Sequence, residues 1–265
     1  MVIKENMYQI SLYGSNIIID ARVNDIPIHT DMVTFDIVGT VNIPIGALVR
    51  GGENNVTITA RKVDPDQDVR CEVGIRNGEE MISEKVNCGD DLQSSGEQES
   101  SFVFQSETLN EFPWESHGPI EINDEVKQRL LARYVELQDL IIARDYDGIK
   151  KFLLPRLESE ASFLGVTVDR VAEQYVDSNI KDNIEVYEAL MYFEHLRDLD
   201  NVNEYGDSIV LETAANGCLV RLMLESAENG SRNSIIQWYQ GDTETTISIP
   251  VWFMLTDGEV FIAIR

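Results

Sequence analysis

The side chains best suited to chemistry are few here: His29, His117 and His195, with Cys71, Cys88 and Cys218, among 47 acidic residues. Nucleophilic catalysis needs a Ser or Cys, a His within reach, and a third group to orient that His. The chain has no GxSxG elbow, Cys218 follows a turn glycine at the start of an apolar strand, and His29 and His117 fall in expected loops. His195 is different. It comes one turn beyond Met191 on the apolar face of a predicted helix, with Asp198 at i+3 as a partner. There it either lines a pocket or packs as a hydrogen-bonded core histidine. No cysteine belongs to a CxxC pair, so no metal site is expected.

Two other stretches look functional at first sight. Gly51 to Asn55, GGENN, precedes a strand rather than a helix and lacks the Lys-Ser/Thr pair of a phosphate loop. It reads as a turn whose Glu53 and Asn54 keep an exposed bend polar. Asp64, Asp66 and Asp68 alternate like the opening of a calcium loop, but Val69 and Ile75 occupy the positions that need Gly and Glu. An exposed acidic turn is expected, and no cofactor. The remaining candidates are pocket residues: Tyr134, Tyr187, His195, Arg221 and Trp238, with Tyr175 as a further phenol. Glu212 and Glu225 sit at expected strand ends, where solvent accounts for them.

The charge narrows the partners. A formal net charge of −26 from 47 acidic and 21 basic residues repels phosphate backbones and anionic lipid heads. Nucleic acid and membrane are thereby disfavoured, and no apolar run approaches the ~20 residues of a membrane span. The field suits a basic protein partner, or serves solubility. The N-terminus lacks the basic and apolar regions of a secretory signal, so a cytoplasmic protein is expected, or a periplasmic or secreted one if a signal has been removed.

Patterning places these residues on elements. Alternation at Tyr8-Ile10-Leu12, an apolar run over 17–23, then Val33-Phe35-Ile37 and Val56-Ile58-Ala60 predict an antiparallel β-sandwich over 1–105. A hairpin is expected over 69–88 around Asn77-Gly78. If its loop spans Gly78 to Met81, Val73 faces Val86 and Cys71 lies opposite Cys88, within disulfide range. A two-residue turn would offset the cysteines. Residues 89–101 read as a flexible linker or an exposed loop with the domain boundary nearby, and 106–122 as an extended connector.

At Asn123 the period becomes helical, with Asp124 and Glu125 in the first turn and Val126, Leu130, Tyr134, Leu137 and Ile141 inward. A second helix over 147–164 should be broken by Pro155. A third starts at Thr167, and Ile180, Ile184, Tyr187 and Met191 mark a fourth face. From Ser208 strands return, including 234–240, 246–256 and 259–265. The fold class is α+β, with a helical and sheet domain over 123–265. Ile247, Ile249, Val251, Phe253 and Leu255 would form one face, and Trp252, Met254, Phe261 and Ala263 a second apolar face. Such a face implies a homodimer through this sheet or an interdomain interface.

RLLARYVELQDLIIARDYDGIKKFLLPRL, then helices, then strands ending in IPVWFMLTDGEVFIAIR, resembles the cone-like fold of the nuclear transport factor two superfamily, with its SnoaL-like and ketosteroid-isomerase-like members. The resemblance covers roughly 120–265 and implies helices across a curved antiparallel sheet enclosing a pocket. VNDIPI and VNIPIGALVRGGENNVTI are similar to accessory sandwich domains of carbohydrate-active enzymes. The functional expectation is a non-catalytic binding or interaction protein receiving a small ligand or a protein partner in its C-terminal domain. The alternative is a SnoaL-like isomerase, cyclase or hydrolase using pocket His and Tyr residues.

Overall fold

The computed structural model describes residues 8–28, 33–88, 92, 97–107, 112–182, 184, 190–191, 208–227, 232–239, 246–256 and 260–263. The chain divides into two compact units, Met1–Phe112 and Pro113–Arg265. No helix among the described residues is long and apolar enough to cross a membrane.

The first unit is built of antiparallel strands: β1 (Tyr8–Ser15), β2 (Ile17–Val23), β3 (Ile26–Pro27), β4 (Val33–Phe35), β5 (Gly39–Pro44), β6 (Gly52–Lys62), β7 (Arg70–Asn77), β8 (Glu80–Met81), β9 (Val86–Asn87) and β10 (Glu97–Ser106). One sheet runs β5-β1-β7-β8 with β9 also on β7, the other β10-β6-β2-β3 with β4 also on β2. Strict alternation of burial along β1 and β2 follows from the period of two, which sends Ile10, Leu12, Ile17 and Ile19 inward. The sheets touch through side chains. Ser106 Oγ of β10 donates to Tyr8 Oη of β1 at 2.9 Å, and a Cβ on Gly14 of β1 would stand 2.7 Å from Ile17 of β2.

The expected loop over Gly78 to Met81 is corrected: Asn77↔Glu80 and Arg76↔Met81 close a two-residue turn at Gly78–Glu79. A two-residue change of register before Val73↔Val86 and Glu72↔Asn87 still brings Cys71 and Cys88 together in a disulfide with Cα atoms 5.0 Å apart. Asn54 departs from expectation. It is fully buried, because its side chain closes the GGENN turn instead of facing water. Its carbonyl oxygen accepts from Arg50 N and Asn24 Nδ2 at 2.8 Å each, and its amide donates to Arg50 O at 2.9 Å. Asp64 likewise spends its carboxylate on its own loop, accepting from Asp66 N at 2.9 Å and Gln67 Nε2 at 2.8 Å. Those bonds hold its pKa below the usual range.

The second unit opens with a 3₁₀ turn at Pro113–Ser116, and Ile120 N then donates to Gly217 O at 2.9 Å. Helix α1 (Asp124–Ile142) is capped by Asn123, whose side chain accepts from Val126 N at 2.9 Å, and every position expected inward is buried. Helices α2 (Tyr146–Phe152) and α3 (Leu154–Leu164) break at Leu153, with Pro155 in the first turn of α3, where its missing N–H costs nothing. Gly165 ends α3 at φ 64°, and Thr167 caps α4 (Val168–Ala172). Helix α4 passes directly into a nine-residue π-helical segment, Glu173–Lys181.

The strands of this unit are β11 (Leu190–Met191), β12 (Ser208–Ala214), β13 (Leu219–Glu225), β14 (Arg232–Ser234), β15 (Gln237–Tyr239), β16 (Thr246–Ser248), β17 (Phe253–Thr256) and β18 (Val260–Ala263). They form two antiparallel sheets, β11-β15-β16 and β12-β13-β17-β18 with β14 on β13. Three expectations are corrected. Leu190–Met191 pairs as a strand with Gln237–Trp238, so helical spacing does not reach Met191. The expected strand over 246–256 is two strands in two sheets, separated at 249–252, where Pro250 has no N–H for a ladder. Arg232–Ser234 and Gln237–Tyr239 are likewise separate strands. The core lies between the helices and one face of the sheet, with Leu130, Leu137, Ile141, Val220, Leu222 and Phe253 nearly inaccessible.

Candidate ligand cleft

Of the residues expected to line a pocket, Tyr134 and Arg221 are committed inside the second unit. Tyr134 Oη donates to Val251 O at 2.9 Å and accepts from Leu222 N at 3.2 Å, pinning α1 to the sheet. Burial pushes its phenol above the ordinary range. Arg221 lies opposite Glu212 on neighbouring strands, and its Nε and Nη2 both approach Glu212 Oε2 at 2.7 Å. Glu212 is therefore not a solvent-facing strand end, since both side chains of the pair are under 10% exposed. The Trp252 ring stacks on Arg221 at 4.4 Å, which supplies a cation–π contact to a charge already paired. Trp252 and Met254, expected at an interface, are 4% and 3% exposed within the single chain.

Cys218 donates its Sγ–H to His117 O at 3.3 Å, and burial pushes its thiol up, away from the thiolate a nucleophile needs. Glu225 pairs with Arg232 at 2.7 Å. Tyr187, His195 and Asp198 lie outside the described residues, as do the side chains of Trp238 and Phe261. Among the described residues no three His, Cys, Asp or Glu side chains converge as a metal site would require.

A cleft of about 110 Å³ opens elsewhere, between α3 and the α4–π segment. Its walls are Leu164, Val166 and Val171, and its polar groups are Glu160, Arg170, Gln174, Tyr175 and Asn179. Local sequence explains the shape. Gly165 turns the chain in the left-handed conformation, so α4 returns beside α3. The π-helical backbone that follows adds residues per turn and redirects Gln174, Tyr175 and Asn179. Such segments are rare and occur frequently at functional sites.

Contacts behind the cleft hold its inner wall. Arg156 lies 4.1 Å from the Tyr175 ring centroid and donates to Pro250 O at 2.7 Å, while Lys150 pairs with Asp177 at 2.7 Å. Two of the apolar walls reach the surface, with Leu164 50% and Val166 38% exposed. Of the cleft residues, only Tyr175 was legible beforehand as a candidate, because the cleft depends on how α3, the Gly165 turn and the π-helical segment pack, which local spacing does not display. Compared with known proteins, the chain matches no family, no curated protein and no solved structure.

Proposed function

We propose that the chain is a non-catalytic binding protein whose C-terminal unit receives a small ligand in the cleft between α3 and the π-helical segment. One observation carries this reading. The core polar groups Tyr134, Glu212 and Arg221 are engaged in internal bonds, whereas the cleft gathers polar side chains around apolar walls at the surface. The isomerase-like alternative would draw on Tyr134, whose hydroxyl is engaged as both donor and acceptor.

In this reading the N-terminal sheets face each other as an accessory β-sandwich, supported by the Tyr8–Ser106 bond, and the C-terminal helices lie across their sheet in a cone-like arrangement. The Cys71–Cys88 disulfide supports maturation in an oxidising compartment over the cytoplasm. The test is to titrate the isotope-labelled protein with small fragments of each charge type while following backbone amide signals. Shifts should cluster on residues 160–179. A set that clusters elsewhere, or no shifts at all, would refute the assignment.

A further inference from the structure

The polar lining of the cleft narrows the ligand, on the premise that the cleft is the binding site. Glu160 and Arg170 both line it, yet no ion pair joins them or ties either to another side chain among the described residues. Opposite charges held more than 4 Å apart across one cleft leave a place for a ligand that carries both signs. An anion alone would meet Glu160, a cation alone would meet Arg170, and a neutral apolar molecule would displace water from both charges without replacing its hydrogen bonds. A zwitterion satisfies both. Its zero net charge also spares it the repulsion that a chain of net charge −26 exerts on anions.

Size and walls select the rest of the molecule. An apolar protein cavity of about 150 Å³ accommodates benzene. A cleft of about 110 Å³ walled by Leu164, Val166 and Val171 therefore suits a branched side chain of about four carbons, with the charged head at the open rim. The Tyr175 side chain, with Arg156 stacked over its ring, is a further part of the lining. We infer that the cleft binds a free α-amino acid with a branched aliphatic side chain, its carboxylate on Arg170 and its ammonium on Glu160.

Isothermal titration of the full chain with L-leucine tests this, beside two analogues that each lack one charge, 4-methylpentanoate and isopentylamine. Saturable leucine binding is expected, weakened at least tenfold in both analogues and in both Arg170→Ala and Glu160→Gln. Both residues lie at the surface, so these variants should keep the wild-type melting temperature. Leucine binding unchanged in both variants would overturn the inference. If either one-charge analogue binds as well as leucine, with shifts on residues 160–179, the zwitterion assignment falls and the cleft assignment stands. If neither leucine nor any fragment shifts those residues, both fall.

Discussion

At the scale of single residues, the buried polar groups act as fasteners. Asn54 ties Arg50 to the Asn24 turn from a fully buried position, so Asn54→Ala would take an acceptor from both Arg50 N and Asn24 Nδ2 and leave a void where the amide was. A loss of about 2–4 kcal/mol in urea unfolding is expected, larger than for an exposed asparagine. Glu212→Gln would leave Arg221 poorly compensated beside Trp252, at a cost of about 3–5 kcal/mol. Replacing both partners with well-packed apolar residues should cost far less, which a double-mutant cycle would read. Tyr134 gives a pH signature. Its phenol is raised in the folded protein, while the unfolded chain has a tyrosine pKa of about 10. The unfolded state therefore loses its proton first, so this contribution is complete below about pH 10 and declines as pH rises beyond it. Tyr134→Phe should remove that part of the alkaline decline in a pH series of unfolding curves.

At the scale of elements, some of the architecture was legible and some was not, for physical reasons. Helix α1 was readable because cap, first-turn acids and apolar spacing agree at Asn123, Asp124, Val126 and Tyr134. Strands β1 and β2 were readable because period-two burial leaves a plain alternation. The break at 249–252 was hidden, because Ile249, Val251 and Phe253 keep an alternating pattern across Pro250 although they belong to no single strand. The Glu212–Arg221 pair was hidden as well, since its burial depends on which strands become neighbours. Gly148 offers a test of the α1–α2 junction. A Cβ there would meet Leu140 at 2.5 Å and the capping carboxylate of Asp145 at 2.6 Å. Gly148→Ala should destabilise by about 1–3 kcal/mol despite its better helix propensity, as a thermal melt would show.

At the scale of the whole molecule, two compact units each carry their own device. The first is stapled by a disulfide that spans 17 residues, and its reduction should cost roughly 3 kcal/mol, visible as a lower unfolding midpoint in reducing buffer. The second joins an apolar core to a surface cleft lined in part by polar side chains. Binding without chemistry is the central claim, and equilibrium dialysis of the intact protein against an isotope-labelled mixture of free amino acids tests it most directly. The account predicts saturable retention of branched aliphatic members, recovered chemically unchanged and lost in Arg170→Ala. No retention by the wild-type chain, or recovery of a transformed product, would contradict it.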